Sequence, residues 1–572
     1  MFYFNKPIQM KKIFYFLLSF LVLSSCLDAK QVDSLLANEF EHGAVVAAHP
    51  LASKVGLDIL QQGGNAVDAA VAVKFALAVV YPNAGNLGGG GFMVYRDSAG
   101  NSTALDFREK APSQSHRDMY LDKDSNPITD LSLYGHLAAG VPGSVAGMEA
   151  AHQRYGTMPW KTLLQPAIDL AMNGFKITEQ QASEFNRYQG EFAKFNPNGA
   201  AILRDQKWNT DDLFIQKELG ETLQRIAEQG RDGFYKGKTA DLIVAEMKRG
   251  NGIMSHQDLI DYEAVWRNPI VGNYKDYRII SMPPPSSGGI ALLALLQSVQ
   301  NYPLALWGFQ ADSTVRAMVE AERRIYADRA THYGDPDFYN VPVGPLTDAH
   351  FNRERMSKVS LEKATASNLV KAEKFGGYES EETTHFCIID KDRNAVSLTT
   401  TINGSYGSMV WVDGAGFLLN NEMDDFSIKP GVPNLYGLLG GKANAIESNK
   451  RMLSAMTPTI VEENGRLKMV VGTPGGSTII TSVFQTILNV VEFGMNAQES
   501  VSAARFHHQW KPDRIDVEAS AISESVRQSL SDDGYPIHKR GPIGRVENII
   551  VLPNNILQTG ADPRGDDIAM GY

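Results

Sequence analysis

The sequence predicts a layered α+β fold, and three observations carry that expectation. Helical periodicity dominates residues 50–330, alternation of β-branched residues sets in after Thr383, and no internal repeat is visible. The 572 residues include 43% apolar side chains and 51 glycines, so a packed core forms rather than extended disorder. With 54 basic and 65 acidic residues the net charge is −11, and no basic block occurs after the first twelve residues. Nucleic acid is excluded as an expected partner.

The elements follow in chain order. Lys11 and Lys12 precede an apolar run over 13–23, which is shorter than the ~20 residues of a membrane span and has the length of a signal-peptide core. Export is expected, with Met10 a more natural start than Met1. Leu23-Ser24-Ser25-Cys26 resembles the bacterial lipobox, in which the cysteine is acylated and becomes the first mature residue. Leu27, in place of Asp, resembles outer-membrane sorting. Residues 1–26 are therefore read as a lipoprotein-type signal peptide and the protein as periplasmic, with membrane attachment through Cys26; ordinary cleavage and secretion is the alternative. Cys387 is then the one remaining cysteine, which excludes an intramolecular disulfide. Lacking a helix start or a basic neighbour, it reads as a small buried apolar group.

Ala52, Val55, Ile59 and Leu60 share one stripe of a helix that Gly63-Gly64-Asn65 ends, and residues 66–80 form a second, apolar helix. Gly88 to Gly91 lead into a strand over 92–96. A phosphate loop is rejected, because no Lys-Ser/Thr follows and the run enters a strand instead of leaving one for a helix. Close backbone approach in a crowded sheet is the better account. Helices are expected within 145–172, over 219–229 and over 239–249. After the Pro- and Gly-rich stretch 282–289 comes a helix over 290–300, capped by Ser286 or Ser287, and then a charged helix over 313–329. Residues 385–390, a turn at 391–394 and residues 395–403 read as a β-hairpin. A strand over 467–473 near Val461, a helix over 478–492 and a late strand over 547–552 complete the reading.

Thr383-Thr384-His385-Phe386 follows an acidic, Gly-containing stretch and opens the hairpin. A cut before Thr383 would place a hydroxyl nucleophile and a free α-amine on one residue, the two groups a threonine-dependent amide hydrolase needs. Such an amine titrates near ~7.7–8.0, close to working pH, and can serve as the base. The plain alternative is a Thr-Thr pair at a strand start.

Six blocks decide between these readings: Asn86 to Phe92 (NLGGGGF); Asp106-Phe107-Arg108-Glu109; Thr383 to Phe386; Leu419 to Phe426 (LNNEMDDF); Pro474-Gly475-Gly476-Ser477; and Arg564-Gly565-Asp566-Asp567. From Leu87 through Tyr572 their order and spacing resemble the γ-glutamyltranspeptidases, N-terminal nucleophile hydrolases with a four-layer αββα sandwich. The resemblance implies self-cleavage between Glu382 and Thr383 through an ester. A large subunit, 27–382, and a small catalytic subunit, 383–572, would then share one sandwich as a heterodimer. It implies Thr383 as nucleophile, Thr401 bonded to its hydroxyl and amine, and Gly475 and Gly476 as oxyanion-hole donors. Arg108, helped by Ser454, would clamp the α-carboxylate of a γ-glutamyl group. Asn403, Glu422 and Asp425 would surround its α-ammonium, and Tyr436, in the Gly/Pro-rich stretch 430–441, would close a lid over the pocket.

Each has a bland counterpart. Thr401 is one of three consecutive strand-favouring threonines, Asp425 is a loop acid in an Asp-Asp pair, Gly475-Gly476 is a tight turn, and 430–441 is a surface loop. One departure stands out: Ser454 is followed by Ala455 where the family commonly has a second serine, which puts substrate preference in doubt. The implied substrates are glutathione and other γ-glutamyl compounds, with water, amino acids or dipeptides as acceptors and no cofactor. No metal is expected either, since His507 and His508 are adjacent and no Cys/His cluster has ligand spacing. Two alternatives stay open: a cephalosporin (glutaryl) acylase-like amidase, raised by Ala455 and opposed by the Tyr436 loop, and a catalytically inactive binding lipoprotein.

Overall fold

The computed structural model describes residues 36–371, 383–429, 432, 435 and 441–572. Cys26, Glu382 and Tyr436 lie outside these, and with them the expected signal segment, scissile bond and lid tyrosine.

Two seven-stranded sheets form the centre of the molecule. The first runs Ile568–Gly571, Ala44–Ala47, Thr384–Ile389, Ala395–Thr401, Gly90–Arg96, Ser102–Asp106 and Val265–Arg267. The second runs Asn38–Phe40, Leu557–Ala561, Glu547–Val551, Arg466–Gly472, Thr459–Glu463, Tyr277–Ser281 and Ile270–Tyr274. All their pairings are antiparallel.

Side-chain alternation assigns the faces. Val45, Ala47, Phe386 and Ile388 join the core under the helices Pro50–Gln61, Ala66–Val80, Ser144–Tyr155 and Trp160–Asn173. Ala44, Val46, Cys387 and Ile389 join the core shared with the second sheet, whose outer face carries the helices Gly288–Val299 and Thr478–Val491. Helix, sheet, sheet, helix is the four-layer αββα sandwich. Cys387 is fully buried as a free thiol.

The helix Ala66–Val80 opens with a capping box between Asn65 and Asp68, and all of its residues are buried. A helix apolar on every side belongs inside a layered core.

Helical periodicity over 50–330 conceals six strands: Ser102–Asp106, Phe175–Lys176, Leu213–Phe214, Val265–Arg267, Ile270–Tyr274 and Tyr277–Ser281. They are short, and their polar faces break the alternation. The expected serine cap is realised differently. Ser287 occupies the cap position of Gly288–Val299 without capping it and donates instead through Oγ to the Ser454 carbonyl at 2.7 Å, while Ser286 Oγ accepts the Gly288 N–H at 3.0 Å.

Candidate active site

Thr384 pairs with Thr400 in the central hairpin, so Thr383 lies one step beyond, at the Thr401 end of the neighbouring strand. Period-two geometry puts Thr383, His385 and Cys387 on the face toward the second sheet. His385 shows where that face leads. Its ring occupies the space a side chain at Gly472 would need, 2.2 Å from an ideal Cβ, and its Nδ1 is 2.9 Å from Thr399 Oγ1. Gly472 ends its strand and continues into Thr473-Pro474-Gly475-Gly476. Thr383 and the diglycine therefore lie at the same end of the two stacked sheets.

Gly475 and Gly476 have φ of 128° and 59°, conformations that exact a steric penalty from any residue with a Cβ. They open the helix Thr478–Val491, whose first turn is held by Thr478 Oγ1 donating to the Gly475 carbonyl at 2.6 Å and Ile479 N–H to the Gly476 carbonyl at 2.9 Å. The N–H groups of a helix start and the positive end of the helix dipole concentrate here, which suits a developing oxyanion.

Thr401 ends its strand beside the glycine run. A Cβ on Gly89 would come within 2.1 Å of the Thr401 carbonyl oxygen, and one on Gly90 within 2.8 Å of Glu109 Oε2. Close approach is why glycine occupies these positions. Thr401 Oγ1 accepts the Asn403 N–H at 2.7 Å, and Asn403, at φ 67°, donates through Nδ2 to the Asn421 carbonyl at 2.9 Å. These bonds tie the end of the Thr401 strand to the Asn421–Glu422 segment.

Arg108 is the electrostatic centre of a buried polar cluster. Its guanidinium pairs with Glu422 through Nη1 and Asp425 through Nη2, and donates to the carbonyls of Leu453 at 3.0 Å and Met452 at 3.3 Å. Ser454 follows these carbonyls directly. Its own Oγ accepts the Met456 N–H at 3.2 Å, and Ala455 packs into the apolar core. Asp106 fixes the Arg108 backbone by accepting its N–H at 3.0 Å, and is itself held by Arg267 at 2.7 Å and Arg451 at 3.3 Å. Tyr262 donates to the Arg108 carbonyl at 2.7 Å.

Three buried carboxylates, Glu109, Glu422 and Asp425, thus surround one guanidinium. Burial opposes the charge on Arg108, but these carboxylates outweigh it and hold the guanidinium protonated. Burial raises Glu109 to about 7 despite Arg108, and raises Glu422 well above the usual carboxylate range. Neither Glu109 oxygen accepts a hydrogen bond from a described donor, an arrangement that a proton shared with Glu422 satisfies. The pocket has acceptor capacity in excess of its own cation, the composition that receives a ligand carrying both an ammonium and a carboxylate.

The structure thus gathers Thr383, Thr401, Asn403, Glu422, Asp425, Arg108, Ser454, Gly475 and Gly476 around one end of the sandwich. Sequence reasoning gave no role to Asp106, Glu109, His385, Asn421 or Tyr262. Asp106 and Glu109 flank Arg108 in a motif already singled out, whereas nothing local marks Tyr262. Among the described residues no group of three or more His, Cys, Asp or Glu side chains could hold a metal ion, and no helix is long and apolar enough to cross a membrane.

The family model for γ-glutamyltranspeptidase matches residues 52–572. The chain belongs to this family. Among relatives of this γ-glutamyltranspeptidase family member, the glutathione hydrolase proenzyme of Escherichia coli K12 is 44% identical over 535 residues, covering 93% of this chain and 92% of the relative. That of Pseudomonas aeruginosa is 45% identical over 545 residues, covering 94% and 96%. Of solved structures, a cephalosporin acylase from Bacillus halodurans superposes with a TM-score of 0.83 at 25% identity, covering 94% of this chain and 97% of that one. The γ-glutamyltranspeptidase of Helicobacter pylori gives 0.55 at 44% identity, covering 57% and 95%.

Proposed function

We propose that this protein is an exported γ-glutamyl hydrolase and transferase that becomes active by cutting itself before Thr383. The carrying observation is the juxtaposition of Thr383 at the head of a central strand, a diglycine helix start at the same end of the sandwich, and a buried cluster of one guanidinium and three carboxylates. The match that uses 95% of the H. pylori chain but only 57% of this one has the proportions of a large subunit alone, which supports the division into 27–382 and 383–572.

In this reading Thr383 Oγ attacks the γ-carbonyl of glutathione or a related amide while the Thr383 α-amine takes the hydroxyl proton. The tetrahedral oxyanion rests on the Gly475 and Gly476 N–H groups, a stabilisation of ~3 kcal/mol per donor. The amine leaves with that proton, and water or an acceptor amine then opens the acyl-Thr383 ester. Arg108 and Ser454 bind the substrate α-carboxylate, Asn403, Glu422 and Asp425 bind its α-ammonium, and the ammonium displaces the proton that the carboxylates share. Tyr436 closes the pocket, and lipidation at Cys26 anchors the protein on the periplasmic side of a membrane.

A glutaryl-acylase reading is favoured by Ala455 and by the acylase superposition. The cluster opposes it: a glutaryl group brings a carboxylate but no ammonium, and would meet three acids that share one guanidinium.

The test is a denaturing gel with N-terminal sequencing of each band, run beside Thr383→Ala, followed by assay with γ-glutamyl-p-nitroanilide and glutaryl-p-nitroanilide. Two bands, the smaller beginning Thr-Thr-His and absent from the variant, with turnover of the first anilide, are expected. An intact, folded wild-type chain without turnover would overturn the proposal.

A further inference from the structure

Lys74 sits in the middle of the helix Ala66–Val80, 1% exposed, where Met or Leu would pack with far less desolvation cost. Its ammonium donates to the Asn86 carbonyl at 2.6 Å and to Asn86 Oδ1 at 3.3 Å. Asn86 in turn donates through Nδ2 to the Thr401 carbonyl at 2.9 Å and to Thr400 Oγ1 at 3.2 Å, and its Oδ1 also accepts Ser144 Oγ at 2.6 Å. The chain of contacts from the helix interior thus ends on the backbone of Thr401, beside the candidate nucleophile. Among the described residues, the charge that acts on Lys74 is that of Glu109, whose carboxylate lies against Gly90 in the same glycine run.

Building on the function proposed above, we infer that Lys74 is a positioning residue for the γ-glutamyl pocket. It fixes the Thr401 end of the strand through Asn86 and supplies a second cation on the Glu109 side of the carboxylate cluster. Glycine at 88–91 lets this support reach the pocket, because a side chain at Gly89 would collide with both Asn86 Oδ1 and the Thr401 carbonyl. The charge balance fits the same role. Burial lowers Lys74 to about 7, with Glu109 acting in the opposite direction, and raises Glu109 to about 7, so Lys74 still carries charge as Glu109 begins to give up its proton. Without that cation Glu109 needs a higher pH to ionise, and the proton it shares with Glu422 is harder for a substrate ammonium to displace.

The experiment follows γ-glutamyl-p-nitroanilide hydrolysis against pH for wild type, Lys74→Met and Lys74→Gln, with gel analysis of processing and active-site titration of each. Lys74→Met is expected to lower kcat about tenfold and to move the acid limb of kcat/KM up by about one pH unit. Lys74→Gln keeps a donor for Asn86 without the charge, and should move the limb equally while recovering most of kcat. If Lys74→Met does not fold, Lys74→Gln and the double variant Lys74→Met/Glu109→Gln, which removes both charges, carry the test; in the double variant the limb displacement should vanish. Variants that lose only yield or Tm, with kcat and the pH profile of titrated enzyme unchanged, would overturn the inference. Absence of turnover in wild type would instead overturn the function it rests on.

Discussion

Arg108 and Asp425 form an ion pair whose side chains are 1% and 3% exposed, joined at Nη2 while Nη1 serves Glu422. In Asp425→Asn, Glu422 stays on the guanidinium. The stability loss should therefore stay below the ~3–5 kcal/mol of a fully broken buried pair. Activity should suffer more: a hydrogen bond to a charged group contributes ~1.5–3 kcal/mol, so kcat/KM for a γ-glutamyl anilide should fall up to about 100-fold. Urea unfolding beside steady-state kinetics separates the two effects.

Gly475→Ala is a test of the diglycine. At φ 128° a Cβ would stand 2.7 Å from Thr478 Oγ1, whose bond to the Gly475 carbonyl holds the helix start. The N–H groups should tilt away from the oxyanion, lowering kcat by about 10- to 100-fold with little change in KM. A rise in KM with kcat intact would argue against an oxyanion role.

Ala455→Ser places beside Ser454 the second serine that the sequence resemblance leads one to expect. The two carbonyls before Ser454, those of Met452 and Leu453, accept from Arg108, so the added hydroxyl lies two residues beyond Leu453 on the same segment. We expect KM for γ-glutamyl substrates to fall about tenfold, at the low end of a charge-assisted hydrogen bond. An unchanged KM would mean that position 455 serves only the apolar core in which it packs.

Acid stability should depend on His507. Burial lowers it to about 3 from an ordinary 6.5, although Gln509 pulls the other way. Between these values the unfolded chain binds a proton that the folded chain does not, so this contribution is full above pH 6.5 and is lost as pH falls toward 3. His49, lowered to about 4, and His385, lowered to about 3, act with the same sign. Glu109 and Glu422, raised by burial, act with the opposite one. The difference between proteins isolates the histidine: the Tm of His507→Gln should fall less than that of wild type between pH 6.5 and 4. Parallel curves would show that the imidazole does not titrate on unfolding.

Much of this protein is legible in its sequence. The break at Gly63-Gly64-Asn65, the helix 66–80 and the hairpin around residues 391–394 are fixed by local periodicity and turn chemistry, which act over a few residues and leave their mark in the order of side chains. Motifs such as Asp106 to Glu109 and Thr383 to Phe386 named most of the pocket, because its chemistry requires particular residue types. Tertiary structure alone decided the rest. Short strands such as Val265–Arg267 take their conformation from neighbours distant in sequence. That Arg108 would be bound by Glu422 and Asp425, braced by Tyr262, depends on contacts across 154 to 317 positions of sequence, and that a lysine inside an apolar helix would reach Thr401 depends on one contact across 12 positions and a second, from Asn86, across 315. Such contacts form only when burial brings two layers together, and desolvation then couples charges that the sequence presents as unrelated.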